Sequence, residues 1–124
     1  MELEKETKQI IGMAYEIMNP VGCGLREKAY ERALVRDFQM ACVPYDQQPQ
    51  FPVFYKDTQI DTLIPDLIAF GNIIVDTKTI PHIGSREIAQ MLNYLRITRL
   101  PIGLIINFYN PKVEVKRVHL NPNR

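Results

Sequence analysis

"IPDLIAFGNIIVDTK", residues 64–78, is the stretch on which the fold turns. Two apolar runs meet around Gly71 and Asn72, which predicts strand, turn and strand. In the second run Ile73 and Val75 occupy one face and Ile74 the other, so that strand is expected to be buried on both sides. Yet Asp66, Asp76 and Lys78 lie inside these runs. Asp66 and Asp76 are each five residues from Gly71. A turn centred there sets them opposite each other on neighbouring strands, with Cβ atoms roughly 4.5–5.5 Å apart. Lys78 follows Asp76 by two residues and so points to the same face.

Two carboxylates about 5 Å apart repel by on the order of 3 kcal/mol at an effective dielectric of about 20. Lys78 can offset part of that. A divalent cation can offset more, because carboxylate oxygens are what Mg²⁺ prefers. The pattern also admits a plainer reading. One aspartate could end a strand in water, with Asp76 and Lys78 a surface pair of small energetic weight.

Outward from this hairpin, the coarse order is α-α-β-β-β-α-β-β. Apolar positions Leu3, Ile10, Ile11, Ala14, Ile17 and Met18 give a first helix over residues 3–18. "NPVGCG" ends it, and a second helix runs from about Leu25 to Ala41. Pro44, Pro49 and Pro52 introduce an extended segment, "FPVFY", which Pro52 assigns to an edge. "KDTQ" is a turn, and the 64–78 hairpin follows. "TIPHIGS" is a loop, and Ser85 is the expected cap of a helix from Arg86 to about Thr98. "LPIGLIINF" is a buried strand, and "VEVKRVHL" alternates as a last one after the turn "YNPK". The predicted class is α/β (α+β), a mixed sheet with helices packed on it.

The chain has 124 residues, 46% of them apolar and 23% charged, which fits one folded domain over residues 1–124 with a real core. A formal net charge of +1 gives no global field for a polyanion, though a local basic patch stays open. Cys23 and Cys42, together with a polar start "MELEKETKQ" unlike a signal peptide, predict a reduced, cytoplasmic protein without a disulfide. No apolar run approaches the ~20 residues that span a bilayer, so no membrane partner is expected.

Three further positions bear on chemistry. On the second helix Tyr30, Leu34, Phe38 and Ala41 form one stripe, and Glu27 falls in its middle. An acid there is costly unless paired or bound to a metal; it could also simply favour the positive end of the helix. Gln90 and Tyr94 lie four apart on the third helix and face the same way, off the apolar stripe of Ile88, Met91, Leu92 and Leu95. By pattern alone they could be a solvated flank. Arg86, Arg96, Arg99, Lys112, Lys116 and Arg117 could meet phosphates or be ordinary surface. His82 and His119 lack ligand spacing. Cys23 reads as turn packing, and Met13, Met18, Met40 and Met91 as core filler.

"GLREKAY" carries Gly24, Glu27 and Tyr30 as G-x-x-E-x-x-Y. This resembles the small bacterial and archaeal family named GxxExxY, similar in turn to the RecB-like branch of the PD-(D/E)XK nuclease superfamily. The resemblance runs from "IIGMAYEIMNPVGCGLREKAYERAL" through "IPDLI", "IIVDTK" and "AQMLNYLRITRLPIGLIINF" to "VKRV". It implies a restriction-endonuclease-like fold. Pro65-Asp66 matches the "PD" element, Asp76-Thr77-Lys78 matches "(D/E)XK", Glu27 matches the acid of the preceding helix, and Gln90 and Tyr94 match a Q-x-x-x-Y element. Asp76 stands where the family usually has the longer Glu, and Ile64 stands where many relatives have an arginine.

The resemblance implies a Mg²⁺- or Mn²⁺-dependent nuclease. Asp66, Asp76 and the Thr77 carbonyl would hold the metal. Glu27 would hold a second metal or its water. Lys78 would position the attacking water, and Gln90 and Tyr94 would support Lys78 or touch the strand. The partner would be nucleic acid, DNA ahead of RNA. A homodimer suits a short chain that cuts both strands. Two other readings remain: a nucleic-acid-binding accessory protein of the same fold with weak or no catalysis, and an interaction module whose acids are structural.

Overall fold

The structure, a computed structural model, describes residues 3–120. Helix α1 (Glu4–Ile17) buries Thr7, Ile10, Ala14 and Ile17, one stripe at helical spacing. Helix α2 (Glu27–Met40) buries Tyr30, Glu31, Leu34 and Phe38. Five strands follow: β1 (Tyr45–Gln47), β2 (Phe51–Tyr55), β3 (Thr58–Leu63), β4 (Leu67–Ala69) and β5 (Ile73–Lys78). Then come helix α3 (Ser85–Thr98) and strands β6 (Ile102–Asn107) and β7 (Glu114–Val118).

The main sheet has the order β1-β4-β5-β6-β7. Strands β5 and β6 are parallel, joined by α3 as a crossover, and the other pairs are antiparallel. Every residue of β6 is buried, as is all of β5 up to Thr77, because helices cover both faces. Alternate residues of β5 serve the two faces. Ile73 and Val75 join Ile10, Tyr30, Leu34 and Phe38 under α1 and α2. Ile74 joins Met91, Tyr94 and Leu95 under α3. Gly103 lets α3 sit close to β6, since a Cβ there would run into the Met91 thioether. The mixed sheet flanked by helices is the expected restriction-endonuclease-like class.

The order of elements contains two strands that the sequence did not announce. β1 pairs with β4, and β3 pairs with β2 in a separate two-stranded sheet. The placement of "FPVFY" at an edge holds, since both strands of a two-stranded sheet are edges. Ser85 is not a cap: it opens α3, and Gly84 precedes it, its N–H donating to Glu87 Oε1 at 2.8 Å. Helix α2 stops at Met40, so Ala41 is exposed and leaves the stripe. Cys42 then turns the chain at φ 56°. Met40 is 71% exposed and is no core filler, whereas Met91 is buried. Cys23 and Cys42 are both free and exposed. Among the described residues no helix is long and apolar enough to cross a membrane.

Candidate active site

The β4–β5 ladder pairs Leu67 with Val75, Ile68 with Ile74 and Ala69 with Ile73. One step further, that register sets Asp66 opposite Asp76. The two acids are interlocked through the main chain. The Asp66 N–H donates to Asp76 Oδ1 at 3.2 Å. The Thr77 N–H and hydroxyl donate to Asp66 Oδ2 at 2.9 and 3.0 Å. Strand β4 begins only at Leu67, so these side-chain bonds take over where the backbone ladder stops. Asp66 Oδ1 accepts no hydrogen bond among the described residues and can meet a ligand.

Lys78 completes the row on the α3 side of the sheet. Its Nζ lies 3.4 Å from Asp76 Oδ2 and donates to Gln90 Oε1 at 2.9 Å. The Gln90 amide in turn donates to the Tyr94 hydroxyl at 3.2 Å. The two α3 residues thus form a line that ends on the lysine. Gln90 is exposed, but Tyr94 is 7% exposed and belongs to the core under α3, so it is not a solvated flank.

Glu27 arrives from the other side of the sheet, at the first turn of α2. The loop before it is pinned by Tyr30. The Tyr30 hydroxyl donates to the Gly22 carbonyl at 2.7 Å and accepts the Leu25 N–H at 3.1 Å. Its ring stacks on Phe108 at 4.5 Å. Gly24 sits at φ 107°, a conformation that favours glycine. The three residues of G-x-x-E-x-x-Y therefore act as turn, acid and anchor.

Electrostatics join Glu27 to the row. Burial raises its pKa, and the Asp66 charge adds to that. Burial and then the Asp76 charge push Asp66 up to about 6. Asp76 is 4% exposed and is also raised by burial, with Lys78 pulling against the shift. Tyr94 is raised well above its ordinary value by burial, then by the charges of Asp76, Asp66 and Glu27. The region holds more negative charge than its protein neighbours neutralise.

One acid escaped the sequence reading. Glu31 is 2% exposed and accepts from Lys28 Nζ at 3.2 and 3.1 Å, Gln47 Nε2 at 2.7 Å and Gln48 Nε2 at 3.0 Å. Gln48, held at φ 54°, donates its N–H to the Asp66 carbonyl at 2.8 Å. Glu31 thereby ties α2 to the main chain of Asp66, and its charge adds to the upward shifts of Asp66 and Glu27. Its place beside Tyr30, four residues after Glu27, was the available signal.

The donor set suits a hard divalent cation in its chemistry: oxygen ligands, excess buried negative charge and an open Asp66 oxygen. No group of three or more His, Cys, Asp and Glu side chains among the described residues is gathered as a metal cage. Two carboxylates and a main-chain carbonyl would leave the remaining positions to water, as Mg²⁺ commonly does. Of the basic residues, Arg86, Arg99, Lys112 and Lys116 are exposed. Arg96 donates to Asn93 Oδ1 at 2.6 Å, and Arg117 pairs with Glu4 at 3.1 Å. His82 and His119 are exposed.

A family model described as the PD-(D/E)XK nuclease superfamily matches residues 4–118. Comparison with curated proteins and with solved structures gives no match.

Proposed function

The chain belongs to the PD-(D/E)XK nuclease superfamily, and on that premise we propose that it hydrolyses phosphodiester bonds of nucleic acid with a divalent metal, Mg²⁺ or Mn²⁺. The observation that carries this reading is the interlocked pair Asp66 and Asp76 with Lys78 bridging Asp76 and Gln90. Asp66, Asp76 and the Thr77 carbonyl would hold the ion, with Glu27 at its outer side. When bound, the ion supplies charge neutralisation at the phosphate and lowers the pKa of water.

The protein's own groups do the rest. The Thr77 N–H and hydroxyl fix the Asp66 carboxylate through Oδ2, which leaves Oδ1 for a ligand. Lys78 is held between Asp76 and Gln90 and keeps an ammonium N–H for an attacking water and for the charge that grows on the phosphoryl oxygens. Gln90, held by Tyr94, fixes the lysine at a set height above the sheet. Glu27 is raised in pKa and close enough to feel both Asp66 and Lys78, which suits it to hold a water at the opening.

The test is cleavage of end-labelled single-stranded and duplex DNA and RNA with Mg²⁺, Mn²⁺ and EDTA. Metal-dependent product from the wild type, absent from Asp66→Asn, is the expected result. Binding of all four substrates with no product at any metal concentration would instead make this an accessory nucleic-acid-binding protein of the same fold.

A further inference from the structure

A cleft of about 460 Å³ is lined by Cys23, Gly24, Leu25, Thr79, Phe108 and Tyr109. Its volume is of the size that small-molecule pockets take, roughly 300–1,000 Å³. None of its lining residues carries a charge. Thr79 directly follows Lys78, and Gly24 and Leu25 lead into Glu27. The Phe108 N–H donates to the Lys78 carbonyl at 2.9 Å, so the far wall is fastened to the strand that carries the lysine. The near wall is fastened by Tyr30, through its stack on Phe108 and its bonds to Gly22 and Leu25. The cleft is thus built rather than incidental, and its walls adjoin Lys78 and Glu27 along the chain.

What it offers a ligand is apolar and aromatic. Leu25 is 50% exposed and Tyr109 is 48% exposed, and both line it. No lining side chain carries a positive charge to hold a phosphate. A flat, uncharged ring does, since any base can stack on an exposed aromatic side chain. We propose that this cleft receives an unstacked nucleobase of the strand whose phosphate lies at Asp66, Asp76 and Lys78, with Tyr109 as the stacking surface. The substrate is then single-stranded or frayed nucleic acid, because a base within intact duplex is not available to stack on protein. This rests on the nuclease reading above and names its substrate class.

The test uses Lys78→Ala protein with Mg²⁺, so that strands bind without being cut. The probe is a 12-nucleotide single strand carrying one 2-aminopurine, with a blunt duplex of the same sequence as comparison. Stacking on Tyr109 is expected to quench the probe's fluorescence. Tyr109→Ala is expected to weaken single-strand binding about five- to a hundred-and-fiftyfold, the range for one lost base–aromatic stack. Duplex binding should be unchanged, and Tyr109→Phe should behave as the parent. In a Cys42→Ser background, bound single strand should also slow maleimide alkylation of Cys23.

Equal affinities of Tyr109→Ala and parent for the single strand would overturn the proposal. So would equal losses for single strand and duplex, an unquenched probe, an unprotected Cys23, or no binding of any strand. None of these readouts requires bond cleavage. A wild-type protein that fails to cut while Tyr109 still quenches the probe would sink the hydrolysis reading and leave the base cleft standing.

Discussion

In the hairpin β4–β5, Asp76 is 4% exposed and Asp66 is half-buried; in the hairpin β2–β3, Phe54, Tyr55 and Ile60 are 62%, 60% and 62% exposed. One buries charge and the other leaves apolar side chains in water. Both break the ordinary pattern of a strand, but only at β4–β5 are the misplaced groups met by hydrogen-bond partners. Of the Asp66 and Asp76 carboxylate oxygens, all but Asp66 Oδ1 meet an N–H, a hydroxyl or an ammonium. At β2–β3 the backbone is well formed, with Lys56 and Asp57 both at positive φ in a two-residue turn. Of its exposed apolar side chains, the Tyr55 ring lies beneath the Lys56 ammonium. Exposed apolar area is common and costs little, whereas an uncompensated buried charge costs several kcal/mol. The compensated departure is therefore the one that signals chemistry.

The largest expected effect is on rate. Lys78→Ala should lower cleavage by about a hundred- to a thousandfold, the typical loss for one donor to a developing oxyanion. Mg²⁺ affinity, read by titration calorimetry, should stay within a few fold, because the ammonium faces water and phosphate. Equal loss of metal affinity would turn Lys78 into a structural partner of Asp76.

Next in size is Glu31→Ala, expected to destabilise the protein by about 2–4 kcal/mol. It leaves Gln47, Gln48 and Lys28 without their shared acceptor and frees the chain that holds Asp66. Glu31→Gln keeps the volume and one acceptor oxygen and should recover about half of that. A denaturant melt of Glu31→Ala that matches wild type would show that the tie from α2 to Asp66 is idle.

How much of this was legible depends on how local the cause is. The β4–β5 register followed from counting around Gly71, because the turn and both strands lie within fifteen residues. The helices were legible from spacing, to within about two residues of their ends. Strand β1 was not: Tyr45, Asp46 and Gln47 are too few and too polar to show a period, and their partners Leu67–Ala69 come some twenty residues later. β3, "TQIDTL", is mostly exposed and lacks a clean alternation. Glu31 looked like one more helix charge because its partners Gln47 and Gln48 lie 16 and 17 residues downstream. Tyr94 looked like a flank because its burial comes from the sheet beneath α3 and not from its own helix stripe.

A third expectation separates charge from shape at β4–β5. Asp76→Asn keeps an oxygen for the Asp66 N–H and removes one of two facing charges. Without metal the variant should be as stable as wild type, or more stable by about 1–2 kcal/mol, a discounted share of the repulsion. Wild type should gain about 2.7 kcal/mol from Mg²⁺ at a hundredfold excess over Kd, and the variant little. A metal-free variant several kcal/mol weaker than wild type would make Asp76 a structural partner of Lys78.

pH tests the same strain without mutation. Asp66 titrates near 6 in the folded protein and near 3.9 unfolded, so the folded state holds the extra proton between those values. Stability of the metal-free protein should therefore fall as pH rises from about 4 to about 6, by on the order of 1–2 kcal/mol for this group. Mg²⁺ affinity should rise over the same window, as the ligand loses its proton. Asp66→Asn should flatten this part of the profile, measured by melts in EDTA.

The smallest expected effect lies in the other hairpin. Phe54→Ser, Tyr55→Thr and Ile60→Thr each replace an exposed apolar side chain with a polar one at a strand position. If water is what these residues meet, each should change stability by no more than about 0.5 kcal/mol and leave cleavage untouched. Phe51 and Leu63, by contrast, pack on the core under α3, so Leu63→Ala in the same hairpin should be felt clearly in the melt. A second copy of the chain is the occupant that would change this picture, since an exposed β edge with three apolar side chains could pair with its own copy. Sedimentation equilibrium of the triple variant against wild type decides it. Equal monomer masses keep the hairpin as a tolerated exposure. A wild-type dimer that the triple variant loses would mean that both hairpins are compensated, one by ligand and hydrogen bonds and the other by a partner, and the contrast drawn between them would fail.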